Sequence, residues 1–181
     1  MKKLSVLKLS ILSLLLTALI PAATMAQDDD KSKLINDANK AKEEFIKTDP
    51  LMKNLFDNSV GYVIFPNVGK GAIGVGGAAG NGILFEQGNA VGKAKMKQVT
   101  IGFQFGGQAY REVIFFENKA ALDQFKGGNF ALSAQASAVA ATKGASANVK
   151  YRNGVMIFTQ EKGGLMYEAS VGGQKFGYSA F

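Results

Sequence analysis

VGYVIFPNVGKGAIGVGGAAGNG, residues Val60 to Gly82, joins a strand-like run, Tyr62-Val63-Ile64-Phe65, to a glycine-rich segment through Pro66. Glycine loses conformational entropy in regular structure, so this density needs a geometric reason. Two are open: close backbone approach to a ligand, or a sharply curved strand packed tightly under its neighbours. The nucleotide reading fails on spacing. Gly74-Val75-Gly76-Gly77-Ala78-Ala79-Gly80 is followed by Asn81-Gly82 and another strand rather than a helix, and no Gly-Lys-Ser/Thr ending is present. The segment therefore reads as scaffold, with a turn expected at Asn81-Gly82.

The 181 residues contain no Cys, His or Trp. Imidazole acid–base chemistry, thiolate nucleophiles, disulfides and the usual zinc ligand sets are excluded together. No catalytic, metal or cofactor site is expected. A hydrolase built from Ser, Lys and carboxylates is permitted by composition alone.

Lys2, Lys3 and Lys8 precede the apolar run 9–20, and Thr24-Met25-Ala26 supplies small residues before Gln27. This is the pattern of a cleavable signal peptide over residues 1–26, so the chain is expected to be exported, periplasmic or extracellular. The apolar run is short for a membrane span. Residues 27–181 then form one domain, mainly helical over 27–58 and mainly β over 59–181. Loss of the three leader lysines takes the net charge from +7 to +4, and the basic excess falls in the β part. An anionic partner suits it.

A helix is expected over Ser32–Thr48, with Leu34, Ile35, Ala38, Ala41, Phe45 and Ile46 on one stripe and Lys42 projecting into it. Asp49-Pro50 ends it and a short turn follows over Leu51–Phe56. Beyond Ser59, turn signals at Gly88-Asn89, Asn153-Gly154 and Gly163-Gly164 separate strands, the second behind a strand over Asn148–Tyr151. One helix, Asn118–Lys126, interrupts them with Leu122 and Phe125 inward. Tyr62–Phe65, Val113–Phe116 and Val155–Phe158 are apolar on both faces and should be central strands. Phe130–Ala140 alternates as a strand whose inner face shrinks from Phe to Ala. The fold class is α+β: a curved antiparallel sheet, open or closed into a barrel, with helices against it.

Lys93, Lys95 and Lys97 share one strand face, and their parity continues into Val99, Ile101, Phe103 and Phe105. A lysine rim leading into apolar groups would suit an anionic lipid headgroup; it equally suits a strand entering the core. Lys150 and Arg152 form a second pair at a hairpin end, with Lys70 expected as their neighbour. Nucleic acid is not expected, since no basic cluster is interleaved with exposed aromatics.

Three blocks carry a resemblance. Val60–Pro66 with the glycine segment, Gly102-Phe103-Gln104-Phe105-Gly106-Gly107-Gln108-Ala109-Tyr110-Arg111-Glu112-Val113, and Ile157–Leu165 continued by Ser170-Val171-Gly172-Gly173 resemble the SYLF lipid-binding domain. That family includes the yeast actin-bundling proteins, and the resemblance covers about residues 30–181. It implies a non-enzymatic module that binds phospholipid, phosphoinositides in eukaryotic members. For an exported chain of bacterial type it implies an envelope phospholipid rather than actin. The candidate contacts are Lys93, Lys95, Lys97, Lys70, Lys150, Arg152 and Lys42. The alternative is a structural or protein-interaction envelope protein with an incidental basic face.

Overall fold

The computed structural model describes residues 20–73, 75–101, 108–128, 130–133, 136–162 and 168–181. The chain divides into two units, Met1–Lys33 and Leu34–Phe181. The described part of the first is the start of helix α1, Ile20–Thr48. Most of the expected leader lies outside the described residues. Helix α1 takes in residues well before Ser32, Pro21 among them. No helix among the described residues is long and apolar enough to cross a membrane.

In the second unit, α2 (Met52–Asn58) precedes strands β1 (Gly61–Ile73), β2 (Val75–Glu86), β3 (Asn89–Ile101) and β4 (Gln108–Phe116). Helix α3 (Lys119–Lys126) follows, then β5 (Ser137–Ala140), a 3-10 turn (Ala145–Asn148), β6 (Val155–Glu161), β7 (Glu168–Ser170) and β8 (Lys175–Ala180). The fold is α+β. One sheet holds the eight strands in the order β7-β5-β6-β4-β1-β2-β3-β8. The three doubly apolar runs lie in β6, β4 and β1, neighbours near the centre, as their composition requires. The sheet is mixed rather than purely antiparallel, since β5 runs parallel to β6 at Val139↔Phe158 and Ala140↔Thr159.

The sheet is open but strongly curled. Its edge strands β7 and β8 are separated in sequence only by residues 171–174, so Ser170 and Lys175 stand at most ~17 Å apart. A flat eight-stranded sheet would separate its edges by roughly 34 Å. The chain at 130–132 helps bring them together: Phe176 N–H donates to Phe130 O, and Leu132 N–H to Gln174 O, each at 2.9 Å. Phe130–Ala140 is thus not one strand. Its start runs beside β8, and its end becomes β5.

Two cores result. Inside the curl, Phe65, Phe116, Phe125, Phe130 and Phe176 pack with Val63, Leu84, Ile114 and Leu122. On the outer face, Ala38, Ala41 and Phe45 of α1 and Met52 and Phe56 of α2 cover Tyr62, Ile64, Ile83, Phe85, Val113, Phe115 and Phe158. Pro66 is accommodated in a central strand by a β-bulge, with register shifts against both neighbours. The bulge lets both Phe65 and Val68 face the inner core.

In the glycine segment Gly82 is scaffold, and the expected turn lies elsewhere. Asn81-Gly82 lies inside β2, paired to Asn67 and Lys95 and to Ala94. Gly82 is there because a Cβ would stand 2.6 Å from Ile64 O and 2.7 Å from the Phe65 ring. Close strand packing wins over turn propensity. The next turn is at Gln87-Gly88, one residue early, with φ of 49° and 81°. Asn153-Gly154 does form its turn, but Asn148–Tyr151 is no strand; only Arg152 bridges to Val155. Gly163-Gly164 lies outside the described residues.

Candidate functional site

Strand β6 is paired along its length to β4, from Phe116↔Val155 to Tyr110↔Glu161. On its other side β5 reaches only its second half. Past the bridge from Arg152 to Val155, the first half of β6 has no strand on that side among the described residues, and a cleft of about 830 Å³ lies beside it. One wall is Phe130–Ser133 with Ala136 and Val139; the other is the segment 148–153. The lining mixes apolar groups from both cores with two cations, Lys150 and Arg152. Both are exposed, and neither forms an ion pair among the described residues.

Local chemistry builds the cationic wall. The Asn153-Gly154 turn, left-handed at both residues, folds Arg152 back on Val155 through reciprocal backbone hydrogen bonds of 2.9 and 3.1 Å. Upstream, buried Asp49 at the end of α1 accepts from Ser146 N–H at 2.8 Å and Leu51 N–H at 3.2 Å. Burial alone would raise the Asp49 pKa, but hydrogen bonds from Ser146 and Leu51 overturn that and leave it lowered. The carboxylate thus pins the 3-10 turn from which the wall departs. Tyr151, half-buried in the wall, has its hydroxyl pKa raised by burial and then by the Glu117 charge.

The sequence-derived basic residues do not form one site. Lys150 and Arg152 meet at the cleft. Lys70 is not their neighbour: it pairs with Gln108 at the start of β4, whereas Arg152 stands at the end marked by Phe116, roughly 26 Å of strand away. Lys42 is half-buried against the outer core. Its ammonium donates to Tyr62 Oη at 3.1 Å and sits 5.1 Å from the Phe56 ring centre and 5.2 Å from that of Tyr62. Lys93 is half-buried, and Lys95 and Lys97 are exposed, on the outer face of β3. Their parity does not lead inward. Val99 is 74% exposed, and the inward residues are Ala94, Met96 and Gln98. Phe103 and Phe105 lie outside the described residues.

One polar group was not singled out from the sequence. Glu112 is wholly buried in the inner core and accepts from Gln174 Nε2 at 2.9 Å. Thr159 lies directly across from it. Glu112 Oε1, Thr159 Oγ1 and Gln174 Oε1 have no hydrogen-bond partner among the described residues. Burial raises the carboxyl pKa to about 7, against a smaller lowering by Gln174. Burial, and then the Glu112 charge, push the neighbouring Tyr110 hydroxyl well above its ordinary value. The signal was present: Tyr110, Glu112 and Ile114 share one parity in a strand whose other residues mark that face as core. The same region holds no group of three metal-ligating side chains among the described residues.

Comparison with known proteins finds two similarities. Residues 97–178 match the family model Ysc84, described as Las17-binding protein actin regulator. This is the SYLF domain that the sequence blocks resemble, and the match takes in the second and third of them. The chain is also 29% identical, over 130 residues, to beta cell expansion factor A of Aeromonas veronii. That alignment covers 70% of this chain and 49% of the relative, so this chain spans about half the length of the curated protein it matches.

Proposed function

We propose that the protein binds anionic phospholipid in the cleft beside β6, without catalysis. The headgroup phosphate contacts Lys150 and Arg152, and an acyl segment lies along the Phe130, Leu132, Val149 and Ile157 side chains. The observation that carries this reading is the joining of two exposed cations, without an ion pair among the described residues, to an apolar cleft of about 830 Å³, a size that suits a small-molecule or lipid segment. The match of residues 97–178 to a family of binding domains supports it. Export through the leader ending at Ala26 would place the protein where envelope phospholipid is accessible. N-terminal sequencing of the mature protein should begin at Gln27.

Co-sedimentation with neutral and anionic vesicles over a salt series tests the function. Each phosphate contact contributes about 1 kcal/mol, so Lys150→Gln with Arg152→Gln should weaken anionic-vesicle binding by roughly 30-fold. Equal binding to both vesicle types would refute anion selectivity, and an unchanged double variant would refute the cleft. Ester turnover abolished by Ser133→Ala would replace binding with hydrolysis.

A further inference from the structure

On the outer face, beyond the part that residues 34–48 cover, the sheet is floored with glycine, alanine and asparagine and edged with lysines. One row across four strands reads Gly69, Ala79, Lys97, Lys175, each paired to the next. The adjoining row reads Asn67, Asn81, Lys95, Gly177. Two features of these rows oppose stability. Lys97 and Lys175 are directly opposed like charges, which destabilise a ladder. Gly69 and Gly177 weaken their strands, yet a Cβ on either would meet nothing within 4 Å, and neither has a left-handed φ. The fold demands glycine at Gly82 but not here. Local rules broken without a structural return mark functional surface.

We infer that this face is a second anion site, distinct from the β6 cleft, and that it takes a linear chain of phosphate groups. Lys95, Lys97 and Lys175 are exposed. Their Cβ atoms stand about 5 Å apart across the strands and about 7 Å along one, a spacing that successive phosphates of a flexible chain can follow. Gly69, Ala79 and Gly177 leave the chain free to lie against the backbone. Arg111 and Lys162 continue the positive field on the β4–β6 side: Lys162 Nζ donates to Asn67 Oδ1 at 3.3 Å, and Arg111 Nη1 to Gln160 Oε1 at 3.1 Å. Burial lowers the Lys162 pKa, as does Arg111, against an opposite pull from Asp37. The described floor offers no aromatic ring, which removes the stacking platform that single-stranded nucleic acids use. The face lies on the outside of a curled sheet, so a planar bilayer would touch only its crest, while a chain can bend over it.

Inorganic polyphosphate is the probe, titrated against the mature full-length protein by fluorescence anisotropy. Replacing Lys95, Lys97 and Lys175 together with Gln should weaken binding at least tenfold and reduce the salt slope by about two, at ~0.7 per phosphate contact. Gly69→Val with Gly177→Val should weaken it several-fold with every charge retained. Thermal melts should show both variants folded, because the lysine changes relieve repulsion and the new side chains enter open space. The Lys150→Gln, Arg152→Gln variant should bind polyphosphate normally. Unchanged affinity in the triple lysine variant overturns the site, as does equal loss in the cleft variant. Equal affinity for a polyuronate overturns the phosphate class. Loss of anionic-vesicle binding by the triple variant, without polyphosphate binding by the parent, assigns the face to membrane instead.

Discussion

Glu112→Gln should make the protein more stable at slightly alkaline pH, and the gain should vanish in acid. The Glu112 carboxyl is buried among apolar strands with Gln174 Nε2 as its donor, and its pKa rises from 4.5 to about 7. A carboxyl whose folded pKa is raised holds its proton more tightly when folded. Its contribution is fully present below about pH 4.5, declines as the unfolded chain ionises, and is lost once pH passes about 7. The shift corresponds to about 3 kcal/mol, a large part of the 5–15 kcal/mol typical of a domain. The glutamine amide keeps the shape and the acceptor for Gln174 and cannot ionise. Urea unfolding of both proteins from pH 4.5 to 8.5 measures the difference directly. It should be near zero at the acid end and grow by about 1.4 kcal/mol per pH unit toward a plateau of about 3 kcal/mol above pH 7. A difference independent of pH would refute the buried-charge reasoning, whatever its sign.

Other substitutions probe other parts of the fold. Asp49→Ala strands two N–H groups, one of them the buried Ser146 donor, and should cost about 1–3 kcal/mol by chemical denaturation. Because the Asp49 pKa is depressed, its contribution is present above the unfolded value of 3.8 and lost as pH falls through the folded one. The acid-unfolding limb of the variant should accordingly be shallower than that of the parent. Gly82→Ala drives a methyl to 2.6 Å from Ile64 O and should cost about 1–3 kcal/mol, whereas Gly69→Ala should be neutral or stabilising by up to ~1 kcal/mol. Similar melting points for these two alanine variants would remove the distinction between scaffold and surface glycines. Lys42→Met should lower stability by about 1 kcal/mol through the lost aromatic and Tyr62 contacts, and leave vesicle binding at the parent level.

The sequence was most legible where one physical signal acted alone. The doubly apolar runs in β1, β4 and β6 had no polar face to offer water, so they could only be central strands. The stripe Ala38, Ala41, Phe45 had only one face to bury. Legibility failed where two local rules competed. Asn81-Gly82 is turn chemistry, but the Pro66 bulge turns Phe65 and Val68 inward and brings their strand so close that glycine is required for contact. At β3, strict alternation correctly placed three lysines on one face and could not say which face the long-range pairing would leave outside; Val99 went with the lysines. Arg152 and Lys150 were recognised as a pair, but a cleft exists beside them only because β5 is too short to cover β6. That shortness is set by a parallel pairing which no local pattern encodes. The fold class depends on residues near one another in sequence. Both proposed anion sites depend on where sheet coverage ends, and are therefore properties of topology before they are properties of any motif.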